Sequence, residues 1–388
     1  MEDDKRRKVC FVLPSLSGGG IERVVVNLAG QFARNGYPVD IVLWSGDTDS
    51  PYSDYIEPSV SVVSVRGAQR QYNLILKGIY ALYSIRKLIS YINDTMPGVI
   101  FASGCELPAI MANLLTCCRP PLVVIVHTDP SYSSALIMQR GSVLKVRFFE
   151  LLTKLFYPRA DRVIGVSKGV ADGVLRLGAA RHEKVSWIYN PVATKALFQK
   201  AKEPVLHPWL INHEKPVFIG VGRLAEEKNF VLLIDAFKIV ADRLDSVLMI
   251  MGVGPLLDDL RKKTSDLGLE DRVYFTGFLE NPFSAMAHSD VFVLSSDTEA
   301  LPSAMIEAMA CGCQIVSTDC SSGPAEILDN GACGRIVPVK DKYALADAML
   351  AAIANPVPKT VLAKRAGMFD EDAIGARYIA LAEELMAR

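Results

Sequence analysis

The sequence predicts an α/β protein of two successive halves, each a doubly wound parallel sheet covered by helices on both faces. Three observations predict it. The strands read as short continuous apolar runs rather than alternating ones, so both faces of each must be buried. Helical stretches separate most of them, which asks for crossover connections between parallel neighbours. The same pattern then restarts near residue 215, after a proline-bearing stretch with little periodicity.

The elements follow in order. Lys8–Leu13 is an apolar run that meets a Gly-rich turn. A helical pattern then covers Ile21–Asn35, with apolar residues at 21, 24, 25, 28, 29 and 32 and Gly36 as its stop. Val39–Trp44, Ser61–Val65, Val99–Ala102, Leu122–Val126, Arg162–Val166 and Val185–Tyr189 are the next strands. The second half begins with Val217–Gly222 and continues with Val247–Met251, Val273–Thr276, Val291–Leu294 and Gln314–Ser317. Helices such as Asn229–Arg243 and Pro302–Ala310 lie between them. The expected domains are 1–192 and 215–369, with 193–214 as the linker because it carries Pro204 and Pro208. The last helix, 370–388, is free to cap either half, including by crossing back to the first. Doubly wound halves facing each other place a ligand cleft at the carboxyl ends of their strands, so strand ends are the residues to inspect.

Length and composition agree. A chain of 388 residues is too long for one ordinary domain. Half its residues are apolar and the mean hydropathy is +0.23, which excludes a disordered class. The net charge of −1 excludes a global polybasic character of the nucleic-acid kind. That sum hides a split. Residues 1–195 hold 23 Lys and Arg against 16 Asp and Glu, whereas 196–388 hold 19 against 27. No apolar run reaches the roughly 20 residues of a membrane span. The apolar start Val9–Leu13 is too short for a signal peptide and stops at Pro14. The expected location is the cytoplasm. The eight cysteines form no C-x-x-C pair and read as reduced core thiols rather than a metal site.

Four places carry chemistry. Ser17-Gly18-Gly19-Gly20 lies between a strand and a helix, where backbone N–H groups can approach an anion; a plain tight turn is the alternative. Arg23 stands where a dinucleotide fingerprint would need glycine. Arg223 and Lys228 sit on the first strand-to-helix loop of the second half and can clamp a diphosphate, or pair with Glu226 and Glu227. Glu299 falls on a strand-end loop, and Glu307 inside an otherwise apolar helix, where an unpartnered carboxylate is costly. One carboxylate can accept both hydroxyls of a ribose diol, and the helix start at Ala300, Leu301, Pro302 and Ser303 can offer N–H groups to a phosphate. His127 ends the strand Leu122–Val126, either as a catalytic contact or as a satisfied strand-end histidine. Asp47-Thr48-Asp49 looks like an Asp-x-Asp metal pair but reads as a solvated loop.

Taken together these segments resemble the retaining glycosyltransferases of the two-Rossmann-domain (GT-B) type, family 4. SGGGIERVVVNLA is similar to that family's N-terminal glycine loop, and GVGRLAEEKNFVLLIDAF to its G-x-G-R-L-x-x-x-K segment. Glu299 to Glu307 matches its E-x7-E motif. Asn190-Pro191 resembles its junction turn, and SSGPAEIL, with Glu326, a late loop.

The resemblance implies the following. Gly18, Gly19 and Gly20 approach the donor diphosphate or the acceptor. Arg223 and Lys228 hold the diphosphate and stabilise it as it leaves. Glu299 contacts donor sugar hydroxyls, Glu307 holds the ribose, and His127 contacts the transferring sugar near its reacting carbon. The chain has Ala300 where the family usually has glycine; the N–H survives, but a positive φ becomes less comfortable. The implied reaction moves a hexose or N-acetylhexosamine from a UDP-sugar to a glycan or polyprenyl-diphosphate-linked acceptor, in cell-surface polysaccharide or glycolipid (lipopolysaccharide) synthesis. It retains anomeric configuration and uses no metal and no cofactor. A nucleotide-sugar epimerase of the same fold and a non-catalytic nucleotide-sugar-binding subunit are the alternatives.

The charge split also has a place. Arg66, Arg70, Lys77, Arg86 and Lys87 lie among Ile75, Leu76, Ile79, Leu82 and Ile85. Arg140, Lys145, Arg147 and Lys154, against one Glu150, flank Leu144, Val146, Phe148, Phe149 and Leu155. Basic amphipathic helices of this kind suit the inner face of an anionic membrane as well as the solvated faces of core helices.

Overall fold

The structure is a computed structural model that describes residues 6–17, 19–44, 52–65, 74–130 and 143–388. The chain divides into two compact units, residues 1–191 with 371–388, and residues 192–370.

Among the described residues the first unit holds seven parallel strands: β1 Val9–Leu13, β2 Val39–Leu43, β3 Val60–Ser64, β4 Val99–Ser103, β5 Leu122–Val126, β6 Arg162–Gly165 and β7 Val185–Trp187. Their order is β3-β2-β1-β4-β5-β6-β7. All five residues of β1, β2, β4 and β5 are buried, as strands covered on both faces demand, and Asp40, the charged residue among them, pairs with Lys8 at 2.8 Å. Phe11 of β1 stacks on Phe101 of β4 at 5.1 Å, and Phe32 closes on both at 5.7 Å from the helix Gly20–Arg34. The final helix, Glu371–Met386, belongs to this unit. Its Tyr378 is fully buried against Phe101, and its Gly375 lies so near Gln31 that a Cβ there would meet Cγ at 2.8 Å. Polar pairs fix its register: Gln31 Nε2 donates to Asp372 Oδ1 at 2.9 Å, and Tyr37 Oη to Glu383 Oε1 at 2.5 Å.

The second unit holds six parallel strands: β8 Val217–Val221, β9 Val247–Met251, β10 Val273–Gly277, β11 Val291–Leu294, β12 Gln314–Thr318 and β13 Arg335–Val337. Their order is β10-β9-β8-β11-β12-β13. The stretch 193–214, read from sequence as a linker, carries helices Lys195–Lys200 and Pro208–Asn212 and groups with this unit. Leu197 and Leu210 are buried, and Asn281 Nδ2 holds Lys200 O at 2.9 Å. Pro208 opens a helix, where its missing N–H costs nothing.

Among the described residues no helix is long and apolar enough to cross a membrane. The cysteines are free thiols. Six are buried or half-buried, whereas Cys117 and Cys118 are exposed, so core packing does not account for those two. Gly18, the Asp47-Thr48-Asp49 loop, and Arg66, Arg70 and Arg140 lie outside the described residues.

Candidate active site

In a doubly wound sheet the chain leaves neighbouring strands in opposite directions at one point, and a crevice opens there at the carboxyl ends. In the second unit that point lies between β8 and β11. The loops that follow these two strands carry Arg223, Lys228 and Glu299.

After β8 the backbone runs close to its neighbour. A Cβ on Gly252, just past β9 and at φ +142°, would sit 1.9 Å from Gly222 O, and one on Gly254 would sit 2.4 Å from Leu224 O. Only glycine allows this approach. A single 3₁₀ turn, Glu226–Lys228, follows. Asn229 then takes a left-handed conformation (φ +46°), which asparagine tolerates, and its side chain caps the helix Phe230–Ala241 by accepting from Leu232 N at 3.2 Å.

The loop after β11 is laced to this turn. Ser295 Oγ donates to Lys228 O at 2.9 Å, Asp297 N to Glu227 O at 2.9 Å, and Asn229 Nδ2 to Asp297 Oδ1 at 2.9 Å. Lys228 Nζ and Glu299 Oε1 meet at 2.5 Å, with 24% and 11% of their side chains exposed. Ser296 Oγ donates to the same Oε1 at 2.7 Å. A third loop closes the wall. Ser322 Oγ donates to Glu299 O at 3.1 Å, Thr298 pairs with Ser321, and a Cβ on Gly323 (φ +96°) would meet Ala300 O at 2.8 Å.

Ala300, Leu301 and Pro302 then lead into the helix Ser303–Ala310. Pro302 is its N-cap rather than its first residue and makes no side-chain cap. The first N–H groups of a helix lack intrahelical partners, so this end favours an anion. Glu307 is 8% exposed on that helix. Its charge adds to burial in pushing the Cys311 thiol up to about 12. Arg223 is exposed and turns to Glu227 at 2.5 Å. Burial pushes the Glu227 carboxyl up, but the Arg223 hydrogen bond, with the Arg223 and Lys228 charges, holds it below its ordinary range.

The structure thus brings Lys228, Glu299, Ser296, Asn229 and Asp297 into one network. It sets Arg223 on the same loop but on a different carboxylate. Gly19, Gly20 and His127 lie in the first unit. Gly19 caps the helix Gly20–Arg34 without a side chain, and Tyr52 Oη donates to its carbonyl at 2.9 Å. His127 Nε2 lies 2.8 Å from Ser103 Oγ, and burial lowers its pKa to about 4, so the ring is neutral at pH 7. No motif singles out Glu106, the first residue of the helix that follows β4. Gly104 N donates to its carboxylate at 2.9 Å, and burial raises its pKa. A carboxylate opening the apolar helix Glu106–Leu114 is the same kind of signal that singles out Glu307.

Two family models match the chain: Glycosyltransferase Family 4 over residues 18–196 and Glycosyl transferases group 1 over residues 202–368. The lipopolysaccharide core biosynthesis glycosyltransferase LpsE of Rhizobium meliloti is 30% identical over 265 residues, 66% of this chain and 75% of that protein. The chain belongs to the family 4 glycosyltransferases. A second relative of this glycosyltransferase comes from Campylobacter jejuni. It is N-acetylgalactosamine-N,N'-diacetylbacillosaminyl-diphospho-undecaprenol 4-alpha-N-acetylgalactosaminyltransferase, 27% identical over 343 residues, 87% of this chain and 88% of that protein. Among solved structures, Anabaena HepE in complex with UDP and glucose superposes with a TM-score of 0.77 at 21% identity, covering 98% of this chain and 100% of that one. The glycosyltransferase therefore has the GT-B fold, and sugar transfer is its chemistry.

Proposed function

We propose that this glycosyltransferase moves a hexose or N-acetylhexosamine from a UDP-sugar to a lipid-linked glycan acceptor, with retention and without a metal or cofactor. The observation that carries the reading is the Lys228–Glu299 contact at the strand-order switch of the second sheet, beside the start of the helix Ser303–Ala310. A cation, an anion-binding helix end and a carboxylate there suit three parts of one donor. Lys228 and Arg223 neutralise the diphosphate, the N–H groups near Ala300–Ser303 hold its oxygens, and Glu299 accepts sugar hydroxyls. Glu307 takes the ribose diol. In the first unit, neutral His127 and the helix start at Gly19 and Gly20 go to hydrogen bonds with substrate hydroxyls and phosphate.

In the proposed step the C1–O bond to the diphosphate breaks and the acceptor oxygen bonds to C1 on the same face. The acceptor's proton passes to the leaving phosphate oxygen. Charge builds on the diphosphate, where fixed cations and N–H dipoles lower the barrier without reorganising. The UDP assignment draws on HepE, and the lipid-linked acceptor on the Campylobacter relative's diphospho-undecaprenol substrate. Transfer assays with UDP-, GDP- and ADP-sugars, repeated in EDTA, test the donor and the metal. Proton NMR of the product tests the anomer. An inverted product, or transfer abolished by EDTA and restored by a divalent ion, would overturn the corresponding part.

A further inference from the structure

The helix Val143–Phe156 of the first unit has two opposed apolar faces where a surface helix needs one. Val146 and Thr153 are buried and Glu150 is half-buried, which defines the inner side. Leu144, Phe148, Leu151 and Leu155 recur at helical spacing on the opposite side, exposed by 82%, 60%, 61% and 47%. Four large apolar side chains in one outward stripe form a patch of the kind that marks an interaction surface. Arg147 and Lys154, both exposed, line one edge of the stripe. The neighbouring helix Glu106–Leu114, which packs against this one, exposes Met111, with Leu115 and Arg119 exposed just beyond its end.

We infer that this helix is a membrane-docking element, lying in the plane of an anionic leaflet with Leu144, Phe148, Leu151 and Leu155 among the acyl chains and Arg147 and Lys154 on lipid phosphates. The helix has 14 residues, about 21 Å at 1.5 Å per residue, which is too short to span a bilayer and suits an interfacial position. Its single acidic residue, Glu150, lies on the inner side, so nothing on the outer face repels lipid phosphate. A second copy fits worse. Antiparallel packing of two such stripes brings the Arg147 and Lys154 edges of both copies together, a like-charge contact. In a parallel β-α-β unit the connecting helix begins at the carboxyl end of the sheet. The exposed Leu144 end therefore lies on the side of the first sheet where His127 ends β5. The inference deepens the lipid-linked acceptor reading, and it rests on that reading for its place in the reaction.

The test sediments the full chain with vesicles of phosphatidylcholine alone and with phosphatidylglycerol added. Wild type is expected to bind the anionic vesicles, less so as salt rises. Leu144→Ser/Phe148→Ser/Leu151→Ser should lower the partition coefficient by about tenfold or more. Arg147→Glu/Lys154→Glu should abolish the preference for anionic lipid. Hydrolysis of the UDP-sugar in the absence of vesicles should stay at the wild-type rate in both variants, which shows that they fold. Equal partitioning of the triple variant, or indifference of wild type to lipid, overturns the inference. So does conversion of a dimer to a monomer by the triple variant without change in lipid binding, which would assign the stripe to a second copy. Failure of wild type to hydrolyse or transfer any nucleotide sugar, with vesicle binding intact, would instead count against the proposed function.

Discussion

Lys228 and Glu299, 71 residues apart in the chain, meet at 2.5 Å, and Ser296 donates to the same carboxylate oxygen. The contact is half-buried and lies where the loops after β8 and β11 touch, so each residue fixes the other's position. Lys228→Ala should lower kcat for transfer by about a hundredfold to a thousandfold, the usual cost of a charge-stabilising group. A double-mutant cycle with Glu299→Ala, read by thermal unfolding, should show a combined loss smaller than the sum of the two, because the first substitution already breaks the pair. Additive losses with transfer unimpaired would refute the pairing as a working part of the site.

In the proposed site Glu307 serves the nucleotide and Glu299 the sugar. If it holds the ribose diol, Glu307→Ala should weaken UDP binding by about tenfold to a hundredfold, the equivalent of hydrogen bonds to a charged group. Glu299→Ala removes no nucleotide contact and acts on UDP only by releasing Lys228, so it should change UDP affinity less than Glu307→Ala does while reducing transfer. Titration calorimetry with UDP distinguishes them, and equal effects of the two substitutions would contradict the division of roles.

His127 imposes a pH dependence on stability. The folded protein keeps the ring neutral down to about pH 4, whereas an unfolded histidine titrates near its ordinary value of 6.5. Between those values the unfolded chain binds more protons, so stability is complete above about pH 6.5 and falls as pH drops toward 4. The full effect is about 3 kcal/mol at most. His127→Gln should flatten that part of a Tm–pH curve, and an unchanged slope would assign the acid sensitivity to other groups.

Gly252→Ala tests the backbone approach beneath the β8 loop. The added Cβ would meet Gly222 O, and φ of +142° is strained for alanine. Destabilisation of about 2 kcal/mol or more is expected, together with reduced transfer as the segment 222–228 shifts. Gly268→Ala is the control. It also has positive φ (+64°) but opens on free space, so it should cost about 1 kcal/mol and spare activity.

What could be read from the residues depended on contrast with their surroundings. A five-residue strand such as Val247–Met251, apolar throughout, stands out from the helices around it, so the alternating order was plain. Arg335–Val337 was not, because three residues between Gly334 and Pro338 carry no period. Glu307 is conspicuous as a carboxylate in apolar company, and Glu299 by its place on a strand-end loop eight residues before it. Asn229, Ser296 and Ser322 were not, since polar loop residues are ordinary and only the fold decides which group each one reaches. The prolines of 193–214 suggested a break, yet one of them starts a helix whose Leu210 is buried.

The last helix gives the chain an order of assembly. The second unit is continuous, 192–370, and all its residues are available once residue 370 has been synthesised. The first unit is not: Tyr378, fully buried against Phe101, follows the whole of the second unit in the chain. A ribosome therefore emits the first unit's strands early but withholds the residue that completes its core until the whole second unit has been made. The part of the protein made first is the part that finishes folding last, and its apolar surface needs shelter for the length of synthesis in between.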